Sequence, residues 1–380
     1  MTRIAFINGT ISPFQCNVAR AARRRGLDLQ LLFNSLPSLN GRPKHWENWR
    51  TVEEDMAQFG RVAAHGISQD EMTAWFTAQL DDLCPDIVIA ASYKPWARDA
   101  AMAYAKAHGL PLGLWAEQPQ PAPWWKTVAK RAYIGRQMRG YDFCFAIGDR
   151  AAKIYGTALG NHDRTFMIPY AQDLDAFDPA LRPAPSDDDL RVLFSGGFHE
   201  RHNFDLIVES MKRIETMGLP RKTRYLFSGN GPERKRLDDL ARENPSLGER
   251  VEIYDQPFKT FEERAEHYLM ADLFLYPSKH AGWGLVVPEA MAAGMPIIST
   301  TNVEAARFYV EHGMNGVFVD QTADSITAAL ARLLSNPELL RSMGERARAS
   351  ALRGSADAIA ERMHLAFSYM GIVPYRLDPK

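Results

Sequence analysis

Short unbroken runs of Ile, Val, Leu and Phe recur along the chain, each trailed by ten or more residues whose apolar positions have helical spacing. Continuous apolar runs, without alternation, are what parallel strands buried on both faces require. In the first half they are RIAFIN (3 to 8), LQLLF (29 to 33), DIVIAAS (86 to 92), LPLGLW (110 to 115), DFCFAI (142 to 147) and FMIP (166 to 169). Helices fit near 15 to 25, 69 to 82, 95 to 108, 124 to 139 and 149 to 158. Residues 170 to 191 are rich in Pro and Asp and lack periodicity, so they read as a link between domains. The rhythm then restarts with RVLFSG (191 to 196), RYLFSGNG (224 to 231), VEIYD (251 to 255), DLFLYP (272 to 277), PIIST (296 to 300) and GVFV (316 to 319). Three further helices fit near 323 to 334, 336 to 350 and 355 to 369. The pattern predicts an α/β protein of two doubly wound domains facing each other across a cleft, 1–172 and 173–355. Residues 356–380 form a last helix and tail free to pack back on the first domain. Ligands in such sheets bind beyond the carboxyl ends of the strands.

Composition narrows the class. Of 380 residues, 46% are hydrophobic and 24% charged, which is ordinary for a globular chain and excludes disorder and a membrane-spanning design. Lys and Arg number 45 against 46 Asp and Glu, so no global attraction to nucleic acid is expected. Cys16, Cys84 and Cys144 are few and far apart, which argues against a disulfide framework or a cysteine zinc cluster and fits a reducing cytosol. The opening MTRIAFINGT reads as a first strand rather than a signal peptide. A cytoplasmic protein is expected. The acidic SDDD (186 to 189) reads as a solvated charge run.

The densest chemistry lies in DLFLYPSKHAGWGLVVPEAMAAGMPIIST (272 to 300). A strand ends, Gly282 and Gly284 make a loop, Pro288 suits a helix start, and Glu289 falls in the first turn, where the helix dipole favours an anion. Glycine loops let a ligand approach backbone amides, helix starts bind phosphate, and a carboxylate can accept from both hydroxyls of a ribose. These are the parts of a nucleotide site, although glycine turns and helix-start acids also occur in purely structural loops.

The second half resembles the carboxyl-terminal domain of family 4 retaining glycosyltransferases of the two-Rossmann-domain (GT-B) type, over roughly 165 to 345. The landmarks stand in the family's order: IPYAQDLDAF, VLFSGGFHERHNFDLIVESM, YLFSGNGPERKRL, ADLFLYPS, GWGLVVPEAMAAGMPIIST and VEHGMNGVFV. The resemblance implies transfer of a sugar from a nucleotide diphosphate sugar to a hydroxyl of a sugar or lipid-linked acceptor, in cell-surface polysaccharide or glycolipid synthesis. It implies no metal and no cofactor beyond the nucleotide sugar as co-substrate. By resemblance Glu289 binds the donor ribose, and Gly282, Trp283, Gly284 and Leu285 line the donor loop. Gly196, Gly197, Gly229, Asn230 and Gly231 belong to the family's other two donor loops, and the backbone of Thr301 to Val303 is a weaker candidate.

Three positions depart from the family. The first Glu of its Glu-x7-Glu signature is Ala281 here, which leaves His280 or a loop amide to replace it. The cations expected on the diphosphate fall on Gly197 and His202. Arg201 and His202 are the expected replacements, with His202 contributing most when protonated; a surface histidine preceding a helix is the plainer reading.

In the first domain, Gly9 in NGTISP (8 to 13) lies where the family has a loop near the diphosphate. Glu117, just after strand LPLGLW, either orients an acceptor hydroxyl or is satisfied structurally. Residues 121 to 140 carry Trp124, Trp125, Tyr133, Lys126, Lys130, Arg131, Arg136 and Arg139 and no acid. Such a segment either lies on an anionic membrane, at the inner face, or packs its rings on the domain. Trp46 and Trp49 either face a sugar acceptor or anchor their loop. A non-catalytic nucleotide-sugar-binding relative and a nucleotide-sugar epimerase remain as alternatives; the second lacks paired carboxylates near the motif.

Overall fold

A computed structural model describes residues 1–10, 13–35, 58–63, 68–91, 95–119, 125, 127–183, 188–256, 258 and 260–374. It divides into two compact units, Met1–Asp173 with Gly354–Lys380, and Leu174–Arg353. Among the described residues, each unit has one wholly parallel sheet with helices between its strands.

The first sheet contains β1 (Thr2–Thr10), β2 (Leu27–Ser35), β3 (Gly60–Val62), β4 (Ile87–Ala90), β5 (Leu112–Glu117), β6 (Phe143–Ile147) and β7 (Thr165–Met167), in the order β3-β2-β1-β4-β5-β6-β7. β4 and β6 are buried along their whole length, as their unbroken apolar sequences demand. Helix Gln69–Leu83 starts at a capping box: the Glu71 amide donates to Ser68 Oγ at 3.2 Å, and the Ser68 amide to Glu71 Oε2 at 2.7 Å. The final helix, Ala356–Tyr369, belongs to this unit. Its Phe367 ring lies 5.8 Å from Phe143 and 5.3 Å from Phe145, and its Asp357 pairs with Arg24 of helix Pro13–Arg24 at 2.7 Å.

The second sheet contains β8 (Leu190–Ser195), β9 (Thr223–Ser228), β10 (Val251–Tyr254), β11 (Leu273–Tyr276), β12 (Ile297–Ser299) and β13 (Gly316–Phe318), in the order β10-β9-β8-β11-β12-β13. Both sheets reverse their winding beside the first strand, between β1 and β4 and between β8 and β11, where ligands bind in doubly wound folds.

The two doubly wound sheets expected from the periodicity are present. Three local readings change. β3 was not expected, because Gly-Arg-Val has no apolar run to announce a strand. β1 continues through Gly9 to Thr10, so Gly9 is a strand residue rather than part of the loop after it. The Pro- and Asp-rich link is anchored to the second unit: Phe177 is fully buried, 5.3 Å from the Phe261 ring and 5.2 Å from Tyr268.

Candidate functional site

In the second unit, four strand ends carry the residues singled out in the sequence. After β8 and β9 come two glycine loops that are bound to each other. The Gly196 amide donates to Ser228 O at 2.9 Å, and the Phe198 amide to Asn230 O at 2.9 Å. Gly229 and Gly231 have φ of 142° and 153°, and an added Cβ would come within 1.9 Å of Gly196 O and 2.4 Å of Phe198 O, respectively. These glycines are therefore required by backbone against backbone, whatever else they do. Asn230 is exposed at the loop tip.

The turn Glu200–His202 follows, closed by Asn203 in the left-handed region (φ 56°), from which helix Phe204–Thr216 departs. Asn203 Nδ2 donates to Pro277 O at 2.8 Å, tying this turn to the end of β11. Arg201 and His202 are neighbours with opposite fates. Arg201 is exposed, whereas His202 is 1% exposed, with Phe194 and Tyr276 at ring separations of 5.6 and 5.1 Å. Arg201 Nε donates to His202 Nε2 at 3.1 Å, and His202 Nδ1 lies 2.6 Å from Ser278 Oγ. Burial, then the charges of Arg201 and His199, lower the His202 pKa to about 3. His202 is neutral at physiological pH, which corrects the expectation that it supplies positive charge to a diphosphate. Arg201 remains as a cation, with Lys279 nearby; the Lys279 amide donates to Arg201 O at 2.7 Å and its ammonium pairs with Glu200 at 3.0 Å.

Glu289 lies in helix Val286–Ala292, is 1% exposed, and forms an ion pair with Arg264 of helix Phe261–Leu269. Burial raises its pKa, opposed by the Arg264 charge and the Tyr268 hydroxyl. The sequence reading missed Arg264. Its only signal was an arginine among acids in FEERAEHYL, which looks like a solvated helix face. Ser278 was also missed: Thr300 Oγ1 donates to Ser278 O at 2.6 Å, holding the end of β11 to that of β12.

Gly282, Gly284, Leu285 and His280 are half-buried around this strand end. Trp283 is not: its indole is buried at 5.8 Å from Phe308 and 6.1 Å from Tyr309, so it serves packing, contrary to its expected place on a ligand. Ala281 pairs with Val303 in an isolated bridge, and Gly197 leaves space taken by the His199 ring. Among the described residues no group of three or more His, Cys, Asp or Glu could hold a metal ion.

In the first unit, Glu117 ends β5 beside a pocket that also includes Asn8, Gln15, Trp115 and Tyr170. Its Oε1 accepts from the Tyr170 hydroxyl at 2.8 Å. Gly9 is half-buried, its amide donating to Asn8 Oδ1 at 2.7 Å. Helix Thr127–Met138 buries Ile134 and Met138 and exposes Arg131, Arg136, Val128 (78%) and Tyr133 (53%), with Lys130 half-buried and Trp125 (63%) just before it. Trp46, Trp49, Trp124 and Lys126 lie outside the described residues. No described helix is long and apolar enough to cross a membrane.

Residues 181–350 match the family model described as Glycosyl transferases group 1. The chain is 32% identical over 239 residues to a D-inositol 3-phosphate glycosyltransferase of Geodermatophilus obscurus, covering 57% of this chain and 50% of that protein. It is 28% identical over 231 residues to a protein of the same name from Xylanimonas cellulosilytica, covering 56% and 52%. The chain thus spans about half the length of these relatives. Among solved structures, Anabaena HepE in complex with UDP is similar at a TM-score of 0.74 and 15% identity, with 97% of this chain and 100% of that one covered. Sucrose-phosphate synthase from Thermosynechococcus elongatus is similar at a TM-score of 0.69 and 18% identity, with 98% and 99% covered. The fold is the two-Rossmann-domain, GT-B architecture.

Proposed function

We propose that the protein is a retaining glycosyltransferase of family 4, moving a sugar from a nucleotide diphosphate sugar to a hydroxyl acceptor in polysaccharide or glycolipid synthesis. The observation that carries this reading is the match of residues 181–350 to the glycosyl transferase family model, because it covers the strand ends bearing Arg201, the paired glycine loops and Glu289. Unit Leu174–Arg353 binds the donor, and Met1–Asp173 with Gly354–Lys380 holds the acceptor. Arg201, oriented by neutral His202, and the amides of the glycine loops stabilise the leaving diphosphate. Glu289 takes the ribose hydroxyls once Arg264 shares or releases it. HepE was also solved in complex with UDP-glucose, which makes UDP-glucose the first donor to try. The exposed basic, aromatic surface of Thr127–Met138 meets an anionic membrane, placing a cytoplasmic enzyme at the inner face, where lipid-linked acceptors reside.

The test is incubation with UDP-, GDP- and ADP-sugars, with and without sugar acceptors. Transfer with retention of anomeric configuration is expected. Isomerised donor without acceptor would indicate an epimerase, and binding with no product a non-catalytic relative.

A further inference from the structure

The cavity at the carboxyl ends of β1 and β5 is formed within the first unit alone. Its described lining joins the rings of Phe6, Phe14 and Trp115 to the polar groups of Asn8, Gln15, Glu117 and Tyr170. Two bonds fix the floor: Trp115 Nε1 donates to Ile168 O at 2.9 Å, and the Tyr155 hydroxyl to Glu117 O at 2.8 Å. A third fixes the carboxylate, since the Tyr170 hydroxyl donates to Glu117 Oε1 at 2.8 Å. Glu117 Oε2 has no hydrogen-bond partner among the described residues, and Glu117 is half-buried. No Lys, Arg or His stands in the described lining.

We propose that this pocket selects an uncharged, hydroxyl-bearing ring, a sugar or cyclitol, as acceptor and rejects its phosphate monoester. Calling the ligand an acceptor rests on the glycosyl-transfer reading above; the binding preference itself does not. Ring hydroxyls are donors, and an oriented carboxylate oxygen is a strong acceptor for one of them. The C–H face of such a ring suits the aromatic wall, an apolar lining with a few fixed polar groups being the usual make-up of a small-molecule pocket. A phosphate dianion beside Glu117 meets like charge with no described cation to offset it, where the low dielectric of a half-closed pocket strengthens the repulsion.

Saturation-transfer NMR on the full chain with saturating UDP tests this directly, using D-glucose, D-galactose, D-mannose and myo-inositol, each against a monophosphate of the same ring. At least one neutral ring is expected to bind, with its monophosphate at least ten-fold weaker. Glu117→Gln, close in shape, should narrow that gap, and Tyr170→Phe, which leaves the ring and removes only the orienting hydroxyl, should weaken the neutral ring. A monophosphate binding as well as its parent, no binding by any neutral ring, or a gap unchanged in folded Glu117→Gln overturns the proposal. Neutral-ring binding without transfer from any nucleotide sugar would instead remove the glycosyltransferase reading and leave the pocket assignment standing.

Discussion

Arg201 Nε donates to His202 Nε2 at 3.1 Å, which makes that ring nitrogen an acceptor and assigns the proton of the neutral imidazole to Nδ1, facing Ser278 Oγ at 2.6 Å. The exposed cation is therefore aimed by a buried neutral base, and protonating His202 would set two donors against each other. Because the folded pKa is lowered to about 3 from an ordinary 6.5, the unfolded chain binds more protons between those values. Stability supplied by this group is full above pH 6.5 and lost as pH falls toward 3, on the order of 3 kcal/mol by pH 4. Urea melts of the wild type and His202→Gln across pH 4 to 7 should show a shallower fall for the variant. Parallel curves would refute the assignment.

Arg201 itself makes no structural ion pair among the described residues, so its removal should spare the fold. Arg201→Ala is expected to melt within a few degrees of the wild type, yet to weaken UDP binding roughly ten- to hundred-fold, the loss of a charge-assisted hydrogen bond of about 1.5–3 kcal/mol. Calorimetry with UDP reads this; unchanged affinity would remove Arg201 from the donor site.

The paired glycine loops separate two kinds of glycine. At Gly229 a Cβ would meet the Gly196 carbonyl at 1.9 Å, in a backbone region that side chains avoid. At Gly197 its one close contact is the His199 ring at 2.8 Å, which can rotate away, the Asn230 carbonyl lying at 3.9 Å. Gly229→Ala should cost more than about 3 kcal/mol or abolish folding, and Gly197→Ala less than about 1 kcal/mol. Thermal melts of the two variants decide this, and similar melting temperatures would contradict the loop geometry.

The strands of both sheets were legible because parallel strands buried on two faces must be apolar throughout, as IVIA in β4 and FCFAI in β6 are. β3 escaped notice because three residues at a sheet edge need no apolar run. Side-chain fate at the strand ends was less legible. Arg201 and His202 are adjacent in sequence, and only tertiary packing against Phe194 and Tyr276 buries one and leaves the other in water. Trp283 sits between Gly282 and Gly284 but is captured by Phe308 and Tyr309. Arg264, 25 residues from Glu289, has the sequence surroundings of a surface arginine and meets its partner only through the fold.

That last pair can be dissected. Glu289 has almost no exposed surface, while Arg264 keeps about a quarter of its side chain in solvent (24%). Removing the acid leaves a cation that can turn to water; removing the base leaves a carboxylate that cannot. Arg264→Met should therefore destabilise more than Glu289→Gln, by up to about 3–5 kcal/mol, and the double variant should cost less than the sum. In Arg264→Met the Glu289 carboxyl, already raised, should take up a proton still more readily, so stability should improve relative to wild type as pH falls. A double-mutant cycle by chemical denaturation at two pH values checks both statements, and strict additivity would show that the pair is not coupled.

Helix Thr127–Met138 offers the remaining test. Val128, Tyr133 and the preceding Trp125 are exposed large apolar groups beside Lys130, Arg131 and Arg136, in a stretch with no acid from Gln118 to Tyr141. Each basic residue near an anionic bilayer contributes about 1 kcal/mol, and the attraction falls with added salt. Vesicles of phosphatidylglycerol with phosphatidylcholine should sediment the protein, whereas phosphatidylcholine alone should not. Lys130→Glu with Arg131→Glu reverses the charge of one half-buried and one exposed side chain, neither in an ion pair among the described residues, so it should leave thermal stability within about 1 kcal/mol while lowering the partition coefficient well beyond ten-fold. Equal sedimentation with both vesicle types, or by the double variant, would place this surface against something other than an anionic membrane.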